Sequence, residues 1–460
     1  MLKNKLSLII IAVAAVAAMG SCNIYKNFEM PEEGIAGEYA KVADEPIDST
    51  SLGNIGWQEM FQSPQLQELI TIALENNYDL QNAKLNIDIA QAQLLGAKLS
   101  YLPSLNFTPV GSISSLTDYK ISNGTYQLPL AASWEIDIFS GIRNSKRRAQ
   151  AMLLQSESYK QAVQSQLISS VANTYYTLVA LDKQLAISIV TAKKWEESVS
   201  VMKDMKEAGR YTEVAVVQSQ ANYYAVMSSI PSLEIEIKKV KNTLSLLLGT
   251  EVKIWDLNLL TPTLDFPDFM NVGIPMSALA VRPDVKAAEQ TLASAYYSTN
   301  IARSNFYPKL VISAEGGFAN LIGDVITNPG EFFLGLAAQL AVPIFNRGTN
   351  IANLRVAKAQ QEQSLNSFEY TLLNASAEVS NALTMYNMNR EKLIFVDSQV
   401  ESLAKAVDYN QELMLLGTTS YLEVLTAQQA LLSAQIERIQ TELSISQSAV
   451  SMYQTLGGGR

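Results

Sequence analysis

The second half of this chain repeats the first, and that duplication limits the possible folds more than any other feature of the sequence. Residues 97–105 match residues 302–310, Gly209 matches Gly417, and the Leu-Gly pair ending at Gly249 matches the pair ending at Gly457. The matches keep the same order and nearly the same offset. A repeat of this length predicts two structurally equivalent halves, each with a short helix, a two-stranded excursion, a very long helix, a glycine turn and a second long helix.

The repeat divides the chain into segments. We predict a signal segment at 1–21, an N-terminal arm at 22–64, the first repeat at 65–249, a proline-containing connector at 250–275, the second repeat at 276–457 and a tail at 458–460. In the first repeat we predict a β-hairpin over 101–138 and long helices over 141–208 and 212–248. In the second repeat the corresponding elements are a hairpin over 307–345 and helices over 348–416 and 419–456.

The N-terminus indicates export and lipid attachment. Lys3 and Lys5 precede a twelve-residue apolar stretch from Leu8 to Met19, which is too short to span a membrane as a helix. The sequence up to Cys22, Met-Gly-Ser-Cys, resembles the lipobox of bacterial lipoproteins, in which the Cys carries a diacylglycerol and an N-acyl chain. Cys22 is the only Cys in the chain; the alternative is an incidental free thiol. The residue after it is Asn23, which among lipoproteins argues against retention at the inner membrane.

Composition excludes several classes of function. The chain has no His, so His-dependent catalytic and metal chemistry is excluded. Lys and Arg number 34 against 44 Asp and Glu, for a formal net charge of −10, which leaves no excess of positive charge for nucleic acid. Neither a GxxxxGK[ST] loop nor a GxGxxG loop is present. We therefore expect neither an enzyme, nor a bound cofactor, nor a metal site.

Four segments alternate between apolar and polar residues with the period of a β-strand. One predicted apolar face contains Leu105, Phe107, Ile113, Tyr126, Leu128, Leu130, Ala132, Trp134, Ile136 and Ile138; the other contains Leu310, Ile312, Phe318, Phe332, Leu334, Leu336, Ala338, Leu340, Val342 and Ile344. A soluble sheet with one buried face is the alternative. In an exported lipoprotein, strands of this length suit a membrane barrel, and four strands per chain require several chains to close it.

Two stretches without proline, 141–209 and 348–417, are long enough for helices of roughly 100 Å. In the second, every seventh residue from Leu365 to Met414 is apolar, and Phe368, Ala375, Ala382, Val396 and Leu403 supply most of the alternate positions. Sustained spacing of this kind predicts coiled-coil packing. The alternative is a filament-forming coiled coil without a pore.

Together these residues resemble the TolC/OprM family of outer-membrane efflux proteins, in particular its lipoprotein branch. The resemblance rests on the duplication, on Tyr101-Leu102-Pro103 and Tyr307-Pro308 before the strands, and on the segments 207–212 and 416–425. It implies an α+β membrane protein, a homotrimer with a twelve-stranded barrel continued by a coiled-coil periplasmic tunnel. The implied location is the outer membrane of a Gram-negative bacterium, in contact with outer-membrane lipid.

The resemblance also implies a function and partners. The tip of the tunnel would dock a periplasmic adaptor joined to an inner-membrane pump of the RND type. Glu207 and Glu423 align with acidic residues that narrow the entrance in the family. The turn residues Gly209, Arg210, Gly417 and Thr418 are the candidate docking tip. Thr419 and Thr426 stand where the family can carry Arg and Asp. Export of proteins or peptides through the same duct, and a structural lipoprotein without a pore, are the alternatives.

Overall fold

The computed structural model describes residues 25–32, 34–42, 55–116, 121–251, 279–321 and 330–459. The predicted signal segment, Cys22 and most of the predicted connector lie outside the described residues. The chain divides into two compact units. We call residues 1–37, 85–157 and 287–370 the strand unit, and residues 38–84, 158–286 and 371–460 the helical unit.

The elements follow the order that the duplication predicts. The described helices are α1 (Gly34–Val42), α2 (Trp57–Met60), α3 (Pro64–Asn76), α4 (Tyr78–Leu99), α5 (Gly141–Glu207), α6 (Glu213–Leu248), α7 (Pro283–Ser304), α8 (Thr349–Leu415) and α9 (Tyr421–Thr455). The described strands are β1 (Ser104–Phe107), β2 (Val110–Leu116), β3 (Ile121–Ile136), β4 (Lys309–Leu321) and β5 (Glu331–Ala341). Within the described ranges, none of the helices combines the length and the hydropathy that crossing a bilayer requires.

The strands form one antiparallel sheet in the order β1-β3-β4-β5, with β2 also paired to β3. β1 and β2 are parts of one strand path, because Phe107 pairs with Leu130 and Val110 with Gln127 without a change of register. The interruption between them contains Pro109, which has no N–H to donate to the ladder. The sheet therefore has four strand paths, as the alternation predicts.

Two of the predicted strands end earlier than their alternation suggests. β3 ends at Ile136 and a turn follows, in which the Ile138 N–H bonds to the Ile136 carbonyl at 2.9 Å. β5 ends at Ala341, so the placement of Val342 and Ile344 on this strand was wrong. Pro343 lies between those two residues and cannot donate a ladder hydrogen bond. Apolar spacing alone does not show where backbone pairing stops.

The two long helices each contain 67 residues, which at 1.5 Å per residue is about 100 Å. Most of the predicted seam of α8 is buried, and its other residues, Leu365, Leu393, Val400, Leu403 and Met414, are half-buried. Phe368, Leu372, Ala375, Val379, Ala382, Tyr386, Val396 and Val407 are all buried. In α5 the corresponding residues Leu167, Val171, Leu178, Ala192, Trp195, Val199 and Met202 are buried as well. The 3-4 spacing therefore marks the packed side of both long helices.

The main core lies in the helical unit, where α3, the middle of α5 and the C-terminal ends of α6 and α9 meet. Its largest buried side chains include Phe61, Tyr175 and Tyr453, each 1% exposed. The Phe61 and Tyr453 rings pack edge to face with their centroids 5.7 Å apart. The Tyr453 hydroxyl also donates to the Ile55 carbonyl at 2.8 Å. Residues close to the end of the chain are thus held in the same core as residues near its start.

Candidate functional site

The register of the sheet separates side chains by polarity. Five rows across β3, β4 and β5 form one apolar face: Leu128–Phe318–Phe332, Leu130–Gly316–Leu334, Ala132–Ala314–Leu336, Trp134–Ile312–Ala338 and Ile136–Leu310–Leu340. These side chains are not the buried side of a core, because Leu334 is 75% exposed and Leu336 is 81% exposed. Alternate rows are two residues apart, so five rows span roughly 27 Å along the strands. Tilted strands of that length cover most of an apolar membrane band of about 25 Å.

The opposite face of the same sheet carries polar groups. Its rows include Ala131–Glu315–Gly335, Ser133–Ser313–Ala337 and Glu135–Val311–Gln339. Glu135 forms an ion pair with Lys309 at 3.4 Å, with both side chains about half exposed. Charged groups paired at such exposure belong in water rather than in lipid. The predicted faces of β3 and β4 are confirmed by this register, and the sheet is built to separate an apolar medium from an aqueous one.

An aromatic cluster marks the end of the sheet nearest the helices. The Trp134 indole N–H donates to the Tyr101 carbonyl at 2.9 Å, and Trp134 remains 42% exposed. The Phe139 and Tyr307 rings stack with their centroids 4.8 Å apart. Aromatic side chains with a polar tip concentrate where lipid meets water. This end of the sheet has the composition of a membrane boundary.

Helix ends meet at equivalent places in the two repeats. In the first, Asn77 donates to the Leu247 carbonyl at 2.9 Å and accepts from the Leu80 N–H at 3.0 Å, which joins the end of α6 to the start of α4. Gly249 follows α6 with φ +63°, and a Cβ there would lie 2.4 Å from the Asn76 carbonyl oxygen. Only glycine satisfies both the backbone angle and this contact.

In the second repeat a buried arginine occupies the equivalent place. Arg282 binds Asp284 through two nitrogens, at 2.7 and 3.0 Å, and Glu378 at 2.6 Å. It also donates to the Thr455 carbonyl at 3.1 Å, which joins the end of α9 to the start of α7. Burial acts to lower the pKa of Arg282, but the hydrogen bonds and charges of Asp284 and Glu378 outweigh it and raise that pKa above its ordinary value. The group therefore stays charged.

Sequence reasoning missed both junctions. Arg282 stands 205 positions after Asn77, within the offset of the duplication, and Pro283 follows it at the first position of α7. The repeat alignment could therefore have identified the two positions as equivalent. It could not show that Glu378, on another helix, comes within bonding distance of one of them.

The predicted tip residues form two turns of the same type. The N–H of Gly209 bonds to Lys206 and that of Arg210 to Met205, while Gly417 bonds to Met414 and Thr418 to Leu413, all between 2.9 and 3.0 Å. Gly209 has φ +71° and Gly417 has φ +76°. This is the arrangement in which a left-handed residue ends a helix and satisfies its last carbonyls. The next helices begin after Thr212 and Ser420.

The two turns lie beside one another in one chain. Met202, Val216, Tyr421, Val424 and Leu425 form a small buried cluster that draws on the helices flanking both turns. The candidate acidic residues, by contrast, are both exposed. Glu423 accepts a hydrogen bond from the Thr419 hydroxyl, the residue that stands where the family can carry Arg. The structure thus brings the two predicted turns together and leaves both carboxylates facing solvent.

The family model for outer membrane efflux proteins matches this chain twice, over residues 69–250 and 274–458. The chain belongs to this family. It is 30% identical over 445 residues to the pyoverdine export outer membrane protein OpmQ of Pseudomonas putida, with 93% of each chain covered. It is 27% identical over 450 residues to the cation efflux system protein CusC of Escherichia coli, with 96% of each chain covered.

Solved structures show the same fold. The outer-membrane channel OprN matches with a TM-score of 0.85 and 25% identity, covering 95% of this chain and 99% of its own. CusC matches with a TM-score of 0.81 and 26% identity, covering 94% of this chain and 98% of its own. These relatives are trimeric outer-membrane channels in which a β-barrel is continued by a helical tunnel. This efflux protein has the same fold and is the outer-membrane exit duct of an efflux system.

Proposed function

We propose that three copies of this chain form a passive exit duct for small molecules, driven by an inner-membrane pump that an adaptor connects to the tip. The observation that carries the proposal is the two-faced sheet with open edges. Among the described strands, β5 has β4 as its single neighbour, and β1 and β2 pair with β3 alone. Unpaired backbone groups in lipid cost several kcal/mol each, so the edges must pair with other copies. Three chains with four strand paths each give a barrel of twelve.

The helical unit offers a groove for the adaptor. It lies between α5, α8 and α9, has a volume of about 690 Å³ and is lined by residues of mixed character such as Val190, Lys194, Val201, Gln411 and Met414. An amphipathic helix binds a groove of this kind through its apolar side while polar groups at the rim set its orientation. The adjacent turns at Gly209 and Gly417 extend the docking surface. The pump that the adaptor joins is of the RND type.

Glu207 and Glu423 form the proposed gate. Both are exposed carboxylates beside the turns, and three chains would bring six of them to the end of the tunnel. Rings of Asp or Glu at a constriction favour the passage of cations. Thr419 donates a hydrogen bond to Glu423 through its neutral hydroxyl. An Arg at this position would form a charged pair with Glu423, which is stronger. The resting contact at this tip is therefore weaker than one built on Arg.

The names of the relatives support one class of cargo. OpmQ is named for pyoverdine export, a relative from Pseudomonas putida is named a toluene efflux pump protein, and CusC is named for cation efflux. All three names refer to small solutes, which supports small-molecule efflux over export of proteins. The proposed duct performs no covalent step. Acylation of Cys22 anchors it to the outer membrane.

Mass measurement in detergent and single-channel conductance in planar bilayers test this proposal together. We expect the mass of three chains and a small, flickering conductance. The double variant Glu207→Gln, Glu423→Gln should raise the mean conductance, because a neutral amide holds resting contacts at the tip, such as the bond from Thr419 to Glu423, less strongly than a carboxylate does. It should also lower the preference for cations, because neutral tips attract fewer cations. The variant Glu59→Gln on α2, away from the turns, is the matched control. A monomer without conductance would refute the duct, and unchanged conductance in the double variant would refute the gate alone.

A further inference from the structure

The first turns of α5 carry an excess of positive charge. The basic residues there are Arg143, Lys146, Arg147 and Arg148, and the next acidic residue after Asp137 is at position 157. The whole chain has a formal net charge of −10, so this segment is the opposite of the average. Arg143, Lys146 and Arg147 are spaced i, i+3 and i+4, which places them on one side of the helix. We call these three half-buried residues the basic patch.

The basic patch lies next to the end of the apolar face of the sheet. β3 ends at Ile136, in the last of the five apolar rows, and α5 starts at Gly141. The Asp137 carboxylate accepts hydrogen bonds from the N–H groups of Ile142 and Arg143 at 3.1 and 2.7 Å, which fixes the start of the helix at this edge. At 1.5 Å per residue, the patch lies about 3–9 Å along the helix from its start. The headgroup layer adds about 5–8 Å to each side of the hydrocarbon core, so the patch is at headgroup depth.

The basic patch also lies on the side of the apolar face. Trp134, in one of the apolar rows, donates to the Tyr101 carbonyl at 2.9 Å, so the Tyr101 backbone lies at the foot of that face. The Arg143 guanidinium in turn bonds to the Tyr101 hydroxyl; burial and a nearby carboxylate raise the pKa of Tyr101, and this bond acts to lower it. The Arg147 guanidinium lies 5.9 Å from the centre of the Tyr297 ring. Aromatic rings and long basic side chains are both favoured where lipid meets water.

The protein leaves much of this positive charge without a partner. Among the described residues, Lys146 and Arg147 form no ion pair. In the same part of the chain, the Arg147 Nη1 atom is buried and has no hydrogen-bond partner. A buried N–H without an acceptor is unfavourable, which favours a ligand that supplies one. Because Asp137 already binds the two N–H groups at the helix start, an anion here is left to the basic side chains.

The second repeat shows that this fold does not require the charge. Ser140 has φ +58° and Arg347 has φ +56°, and each stands just before a long helix, so the two positions are equivalent. Counting from them, the equivalents of the basic patch are Asn350, Asn353 and Leu354. The same helix start therefore forms with three neutral residues. The positive charges of the first repeat serve something other than starting the helix.

We propose that the basic patch binds the headgroup phosphate of an anionic phospholipid in the periplasmic leaflet, the one next to the helices. Guanidinium groups bind phosphate oxygens in pairs, and Lys146 adds a further positive charge. The acyl chains of this lipid lie along the apolar face of the sheet, where Trp134 and Leu340 are 42% and 60% exposed. A free phosphate ion shares the headgroup chemistry but lacks the acyl chains, so it binds the patch more weakly. The site occurs once in each chain.

Native mass spectrometry of the intact purified protein in detergent tests this proposal. Phosphatidylglycerol and phosphatidylcholine with the same acyl chains are titrated separately, and we expect one phosphatidylglycerol per chain to bind with the lower Kd. The triple variant Arg143→Gln, Lys146→Gln, Arg147→Gln should raise the Kd for phosphatidylglycerol about 100-fold, because each basic residue beside an anionic lipid contributes about fivefold. Each single variant should raise it about fivefold, so the test does not depend on assembly of the triple variant. The mass of the assembly reports folding in the same spectra.

The triple variant Lys193→Gln, Lys203→Gln, Lys238→Gln is the matched control. It removes the same charge from exposed residues of the helical unit and should leave the Kd for phosphatidylglycerol unchanged. Equal losses in the two triple variants would overturn the inference, because net charge alone would then govern binding. Equal Kd values for the two lipids would overturn it as well. Displacement of phosphatidylglycerol by an equimolar amount of inorganic phosphate would assign the patch to a free anion instead of a lipid.

Discussion

Asn77 and Arg282 occupy equivalent places in the two repeats, each where the end of one helix meets the start of another. Asn77 satisfies a carbonyl and an N–H with one neutral amide. Arg282 satisfies a carbonyl and in addition binds two carboxylates, with its own side chain 7% exposed. The two junctions differ in the free energy that is lost with a single partner, because a buried charge depends on every partner it has. The second junction is therefore the more sensitive of the two to single substitutions.

Arg282→Ala should destabilise the junction between α9 and α7 by about 3 kcal/mol, since removing one member of a buried ion pair leaves its partners uncompensated. The measurement is the free energy of local opening from amide hydrogen exchange in the first turns of α7. Arg438→Ala is the control, because the Arg438 side chain is 42% exposed and its pairs with Asp397 and Glu442 contribute about 1 kcal/mol or less. If Arg282→Ala lowers the free energy of local opening no more than Arg438→Ala does, the buried ion pairs of Arg282 do not stabilise this junction.

At the scale of elements, alternation of apolar and polar residues specifies the sheet, and 3-4 spacing of apolar residues specifies the long helices. The apolar side chains of the two kinds of element pack against different surroundings. The helix seams are buried within the single chain, as Phe368 and Val171 show at 0% exposure. The apolar face of the sheet stays exposed within the single chain, with Leu336 at 81%. A hydrophobic surface of that extent is stable only against lipid or another chain. The bilayer is thus the missing partner of the sheet.

Leu336→Lys tests this assignment. Leu336 lies in the middle of the five apolar rows, opposite Ala314, where a lysine facing lipid should cost about 2–4 kcal/mol per subunit. We expect less assembled, membrane-inserted protein, measured as the fraction of trimer that survives extraction in mild detergent. The neighbouring variant Ala337→Lys places the same charge on the opposite face, beside Ser313, and should leave that fraction nearly unchanged. Equal losses for the two variants would mean that the sheet does not face lipid on one side only.

At the scale of the whole molecule, the function depends on closure. A single chain provides four strand paths with a polar face carrying Glu135, Glu315 and Gln339. That face becomes the wall of a water-filled lumen only when the open edges of neighbouring chains pair. The same closure surrounds the apolar face with lipid, so both faces reach the medium they suit in a single step.

Adjacent positions on β5 should therefore differ in reactivity in the closed barrel. Gln339→Cys places a thiol on the polar face, and Leu340→Cys places one on the apolar face in the row of Leu310. In proteoliposomes a charged, water-soluble thiol reagent should modify the first at least about tenfold faster, because thiolate forms and meets the reagent in water rather than in lipid. The chain without either substitution, whose single Cys is Cys22, gives the background rate of modification. The unassembled chain in detergent should show similar modification rates at the two positions. Similar rates in the bilayer would contradict a closed barrel.

The fold class of this protein and the faces, seams and turns of its elements were determined by its sequence alone, because the signals that decide them are local and periodic. The duplication, the alternation around Leu130 and Leu336, the heptad spacing around Phe368 and the glycines at the two turns each depend on residues close in the chain. Backbone geometry converts such spacing directly into faces, seams and turns. Fold class and family followed from these patterns.

Tertiary structure alone decided where distant residues meet. Nothing in the local sequence of Arg282 indicates that it binds Glu378, and nothing near Phe28 indicates that Tyr296 and Tyr297 receive it. The ends of β3 and β5 were also decided by pairing between strands, since apolar spacing continues beyond the last ladder bond. Such contacts join segments far apart in the chain, and no period in the sequence encodes them.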